Sequence, residues 1–158
     1  MPQAPTRVQS SSDASEQLAL RFVARHDRTT RDVAAFLQRK GVAASRLAAV
    51  VRKLTRQGVL DDRRYAREWL ARTLARRPMG RARLEAELAA RGIDTAVARE
   101  AIEHACGERS ETEWAEDALR RRASRGLGRH PYRDAAALRR YGFSEETIER
   151  VLGSLEES

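Results

Sequence analysis

A single cysteine, Cys106, in 158 residues cannot build an intramolecular disulfide framework or a cysteine-rich zinc module. That scarcity points to a reducing, cytoplasmic setting. Long apolar runs are also missing. No stretch reaches 18 apolar residues, which excludes a membrane-spanning helix. The opening MPQAPTRVQSSSDASEQ has no apolar core and is not expected to be a signal peptide. The three histidines, His26, His104 and His130, are scattered, with no i, i+4 pair and no cysteine neighbour. A metal site needs three or four converging ligands, so neither a metal nor a cofactor is expected. No Ser/His/Asp or Cys/His arrangement stands out, and an enzyme is not expected.

Arginine is what the chain has in abundance. Of 31 basic residues 29 are Arg, the exceptions being Lys40 and Lys53. The net charge of +8 is unevenly placed. Residues 1–18 carry −1, residues 19–92 carry +12 and residues 93–158 carry −3. A basic block followed by a mildly acidic one suggests a polyanionic partner met mainly by the first part.

The apolar spacing is helical throughout, and alternating strand patterns are absent, so the chain is expected to be all-α. Residues 1–14, rich in Ser, Pro and Gln, read as a disordered tail, with Ser12 or Ser15 capping the first helix. Thr29 and Asp32 make a capping-box-like pair ahead of a helix that ends at Lys40-Gly41. Ser45 is expected to open a third helix that stops at Gly58.

This three-helix unit recurs. With Gly41, Gly92 and Gly142 in register, the next position holds Val42, Ile93 and Phe143. Four before the glycine come Leu37, Leu88 and Leu138. Further columns align Leu47, Ala98 and Ile148, then Val50, Ala101 and Val151, as an amphipathic helical stripe. The helix before each pair repeats too, as Leu18-Ala19-Phe22-Val23, Tyr65-Ala66-Trp69-Leu70 and Trp114-Ala115-Ala118-Leu119. The expected organisation is therefore a tail over 1–14 and repeats over 15–58, 59–107 and 108–158. Units of this size bury little surface alone, so stacking into an elongated, curved, solenoid-like body is expected. No apolar stripe is left over, which makes a monomer the expectation.

The most informative segment is an arginine run: Arg63, Arg64, Arg67, Arg72, Arg76, Arg77, Arg81 and Arg83. Tyr65, Trp69, Leu70 and Leu74 supply the buried side of the helix that carries most of it. Guanidinium groups suit phosphates or carboxylates by bidentate pairing. A solvated helix face is the plainer reading, with Glu68–Arg72 as an internal pair, but acids hardly interrupt the run. Asp61-Asp62 resembles a metal-binding pair, yet aspartates at a helix start more often cap free N–H groups. Glu85 and Glu87 are two apart and point to different sides of a helix. Gly126-Leu127-Gly128 lacks the strand–helix context of a phosphate loop and is expected to follow the end of a helix that begins near Ser110. Cys106 reads as a packing residue.

These motifs resemble the RecX family, regulators of the bacterial RecA recombinase. LDDRRYAREWL, residues 60–70, is similar to the family's Asp-Asp-x-x-aromatic-Ala-x-x-aromatic signature, placing Asp61, Asp62, Tyr65 and Trp69. RLEAELAARGI, residues 83–93, resembles its Leu-x-x-Glu-Leu-x-x-basic-Gly-Ile stretch, placing Glu87, Leu88 and Gly92. RYGFSEETIERVL, residues 140–152, looks like its C-terminal Gly-Phe repeat. The segment 124–132, SRGLGRHPY, departs from the family pattern. The resemblance implies a non-enzymatic protein of tandem three-helix units. It further implies binding to the RecA–single-stranded-DNA filament, in its groove, and suppression of ATPase, strand-exchange and coprotease activities. Two other classes stay open on the residues alone. One is a free-standing helix-turn-helix-like DNA-binding protein that reads DNA with residues 45–57, where Arg46, Arg52 and Arg56 face outward. The other is a nucleic-acid enzyme that depends on Asp62.

Overall fold

The computed structural model describes the backbone of residues 7–156 and the side chains of residues 14–154. Among the described residues the chain is all-α, in nine helices and no strands. Three helices make each repeat: α1 (Arg7–Val23), α2 (Thr30–Arg39) and α3 (Ala44–Arg56); α4 (Asp62–Arg76), α5 (Arg81–Ala90) and α6 (Thr95–Cys106); α7 (Glu111–Ala123), α8 (Pro131–Tyr141) and α9 (Glu145–Glu156). No helix among the described residues is long and apolar enough to cross a membrane.

Two helix starts differ from the sequence reading. Residues 7–14, read as tail, are the first two turns of α1, and residues 1–6 lie outside the described residues. Ser15 is therefore buried inside the helix rather than capping it, and Ser12 is internal too. Adding turns to an existing helix costs far less than starting one, so a Ser-rich stretch extends a helix already anchored at Ala19. The third helix starts one residue before Ser45; its N-cap is Ala43, with no side-chain hydrogen bond.

Other ends form as the residues dictate. Thr29 Oγ1 accepts the Asp32 N–H at 3.2 Å, and Asp32 accepts the Thr29 N–H at 3.1 Å. Ser110 and Glu113 repeat that box at the start of α7. Gly41, Gly92 and Gly142 follow the second helix of each repeat with φ of 78°, 83° and 87°, the left-handed turn that closes a helix at least cost to glycine.

The helical columns become cores. Leu37, Leu88 and Leu138 are fully buried, and the second stripe positions Val50, Ala101 and Val151 are buried too. In the first repeat Ala19, Val33, Leu37, Val50, Leu54 and Leu60 form one cluster, with Phe22 stacked on Phe36 at 4.2 Å between ring centroids. In the third, Ala115, Leu119, Leu138, Phe143, Ile148 and Val151 form another. The chain divides into two compact units. One runs up to Tyr65 and includes Arg91–Ile93; the other comprises Ala66–Ala90 and the residues from Asp94 onward.

The third repeat carries a set of pH-sensitive carboxylates. Glu113 is held below its ordinary pKa by the Ser110 N–H and hydroxyl. Asp117 is lowered by its Arg120 and Arg109 partners, and Glu145 by Arg139. A carboxyl whose folded pKa is depressed stabilises the fold above its ordinary value and ceases to as pH falls through the folded value. The melting temperature is therefore expected to hold from neutral pH down to about 5 and to fall as the pH drops further. Glu113→Gln should flatten that fall in circular-dichroism melts recorded across the range.

Candidate partner interface and the joints beside it

α4 starts where the sequence places it, with Asp61 just ahead. Asp61 Oδ1 accepts the Arg64 N–H at 3.0 Å, the capping role expected of an aspartate there. Ala66, Trp69 and Leu70 form the buried face, with Tyr65 half-buried beside it.

Six of the eight predicted arginines, Arg63, Arg64, Arg67, Arg72, Arg76 and Arg77, are exposed. They spread around much of the exposed side of the helix. Arg63 and Arg67 are four apart and share one flank of the helix, as do Arg72 and Arg76. At 3.6 residues per turn the two rows lie about 140–180° apart around the axis. Arg64 also donates from its guanidinium to the Gly58 carbonyl at 3.4 Å, closing the end of α3.

The remaining two arginines serve a different purpose. The Arg81 backbone N–H donates to Glu111 Oε1 at 3.0 Å. Arg83 donates to the Arg140 carbonyl, and its Cβ packs against Gly142 so closely that a methyl group there would lie 2.4 Å away. Arg83 and Glu87 are 4.0 Å apart, so the motif glutamate pairs within its own helix. Glu85 turns elsewhere, toward Arg99 at 3.8 Å.

Arg81 and Arg83 belong to a joint that occurs twice. In the first unit Thr29 Oγ1 donates to the Arg91 carbonyl at 3.0 Å, just ahead of Gly92. The Thr30 N–H donates to Asp62 Oδ1 at 2.8 Å, and the Thr30 hydroxyl reaches the same oxygen at 3.1 Å. Arg31 packs on Gly92. In the second unit the Gly80 N–H donates to the Tyr141 carbonyl at 2.9 Å, just ahead of Gly142, Arg81 meets Glu111, and Arg83 packs on Gly142. The start of one repeat's second helix is thus tied both to the glycine turn of the following repeat and to the first carboxylate of its leading helix. The Arg91–Ile93 turn is captured in this way, which accounts for its grouping with the first unit. Asp62 is therefore a joint residue. Asp62→Ala is expected to lower the melting temperature by about 3–6 °C, the loss of hydrogen bonds to a charged acceptor worth about 1.5 kcal/mol. Asp62→Asn keeps an acceptor oxygen and should cost less. Paired melts of the two variants check this.

Reaction chemistry has little to build on. Among the described residues no three His, Cys, Asp or Glu side chains gather as a metal site. Cys106 is buried, which pushes its thiol pKa up and keeps it out of the thiolate form. A cleft of about 150 Å³ in the second unit is lined by Leu74, Met79, Trp114, Arg121 and Phe143 and rimmed by the Arg109–Asp117 pair. Its volume is below the usual range for small-molecule sites, about 300–1,000 Å³.

Known proteins give the surface its context. Residues 61–102 match the family model described as RecX, second three-helix domain. The chain is 31% identical over 154 residues to a regulatory protein RecX of Halorhodospira halophila, covering 94% of this chain and 92% of that protein. It is 32% identical over 138 residues to the regulatory protein RecX of Treponema pallidum, covering 87% and 83%. The crystal structure of RecX from Lactobacillus salivarius superposes with a TM-score of 0.79 at 18% identity, over 95% of this chain and 99% of that one, which shows a shared fold. The leading helix with its Asp-Asp start and aromatic pair, the glycine turns and 31% identity over nearly the whole chain converge: the chain belongs to the RecX family.

Proposed function

We propose that this chain is a non-enzymatic regulator of the bacterial RecA recombinase. It engages the recombinase–single-stranded-DNA filament and suppresses its ATPase, strand-exchange and coprotease activities. The observation that carries this reading is kinship with regulatory RecX proteins over nearly the whole chain. The exposed arginines of α4 support it, because they offer cations to DNA phosphate or to acidic recombinase surface. A tandem array of three-helix units spans neighbouring filament subunits. Bridging them favours one filament geometry and opposes ATP-driven cycling. The protein acts as a monomer in the cytoplasm and requires no cofactor.

The test is the single-stranded-DNA-dependent ATPase of the cognate recombinase on preformed filaments, titrated with this chain at fixed salt. Inhibition at or below one regulator per recombinase subunit is the expected result. No inhibition, with DNA in sufficient excess to rule out sequestration, overturns the proposal and favours a free-standing DNA-binding protein.

A further inference from the structure

The second helix of the third repeat starts differently from the other two. Thr29 and Gly80, the residues ahead of α2 and α5, are buried in the two joints, as is Met79. Their counterpart His130 is exposed. The His130 N–H is already taken by Asp134 Oδ2 at 3.0 Å, and Pro131 has no N–H to give. At Pro131 the third repeat therefore lacks the N–H that Thr30 and Arg81 donate in the two joints.

The loop between α7 and α8 is nevertheless held in shape. Asp134, buried at 4% exposure, pairs with Arg122 at the end of α7 at 3.2 Å while it holds the His130 N–H. One carboxylate thus pins both ends of residues 123–130. The loop and the first turn of α8 that follows it are basic and carry an exposed tyrosine. Residues 118–133 contain six arginines and no acid, within a region of net negative charge. Arg120 and Arg122 are paired with acids. The exposed side chains of Arg125, Arg129 and Arg133 have no ion pair or hydrogen bond among the described residues. Tyr132 is 85% exposed, the most exposed large hydrophobic side chain described, and its ring is tilted against the His130 ring with centroids 6.1 Å apart.

An exposed ring in the same short segment as three unpaired arginines contributes nothing to either core. It suits a polyanion that presents flat faces. Bases in a duplex are already stacked, whereas those of a single strand are available. From this we infer that the α7–α8 loop and the first turn of α8 are a single-stranded-DNA contact, with Tyr132 stacking on a base and Arg125, Arg129 and Arg133 on the neighbouring phosphates.

The experiment is fluorescence anisotropy with labelled oligo(dT) and the full chain, without recombinase, so its outcome is independent of the ATPase test. Tyr132→Ala is expected to weaken binding at least about fivefold, the loss of one base–ring stack, whereas Tyr132→Phe should retain it. Substituting alanine at Arg125, Arg129 and Arg133 together should reduce the slope of log Kd against log salt by about two, at roughly 0.7 per phosphate. All four side chains are exposed, so circular dichroism and melting should not change. Unchanged affinity and slope in these variants overturn the inference, as does absence of oligo(dT) binding by the parent chain. Equal losses in Tyr132→Ala and Tyr132→Phe overturn the stacking role. Duplex binding with the same dependence on Tyr132 overturns the assignment to a single strand.

Discussion

Gly80→Ala is expected to lower the melting temperature by about 6–12 °C, from roughly 3 kcal/mol of overpacking in a chain of this length. An added Cβ at Gly80 would lie 2.3 Å from the Gly142 carbonyl oxygen, 2.6 Å from its carbon and 2.7 Å from the Phe143 nitrogen. All three are backbone atoms and have no rotamer through which to escape. Relief requires the Gly142 turn to move, which loosens the Gly80 N–H bond to Tyr141 and disturbs Phe143 and Leu138 behind it. Gly41→Ala makes the contrast. Gly41 has the same left-handed backbone, but an added Cβ meets nothing within 4 Å. Its cost is backbone strain alone, about 1 kcal/mol, or about 2–4 °C. Thermal melts of the two variants followed at a helical wavelength settle the matter. Equal shifts would mean that the close approach of Gly80 to Gly142 carries no energy.

That contrast shows what the sequence makes legible and what it conceals. The three glycines align by sequence alone, because a left-handed turn after an amphipathic helix leaves the same mark each time. The cores were equally readable, since Leu37, Leu88 and Leu138 repeat the same chemistry at the same spacing. The joints were not. Thr29 uses its hydroxyl where Gly80 uses its backbone N–H, and Asp62 corresponds to a glutamate, Glu111. A comparison of apolar columns passes over such pairs, because the bonds are equivalent and the residue types are not. One signal was present in the sequence: an acid opens the leading helix of the second and third repeats. Arg83 misleads for a different reason. On a helical wheel it continues the basic run, but its long side chain folds onto Gly142 and the Arg140 carbonyl, and helical spacing carries no record of that.

The candidate interface on α4 should respond to charge reversal without loss of fold. Arg63, Arg67, Arg72 and Arg76 are all exposed, and Arg64 is left in place because it closes the end of α3. Each Arg→Glu change alters the charge by two, so four take the formal net charge from +8 to zero. If these cations meet phosphates or carboxylates, the concentration for half-maximal inhibition of the filament ATPase should rise at least about tenfold near 0.1 M salt, with a flatter salt dependence. The helical circular-dichroism spectrum should match the parent. Unchanged inhibition with an unchanged spectrum would remove α4 from the interface. The two rows then separate further, because a partner lying along one side of the helix cannot reach both. Charge reversal at Arg63 and Arg67 and charge reversal at Arg72 and Arg76 should differ in effect, and the weaker inhibitor identifies the side that faces the partner. Arg83→Glu is the informative control. Its side chain lies in the second joint, so it should lower the melting temperature as Gly80→Ala does, whereas the α4 variants should impair inhibition and leave melting alone.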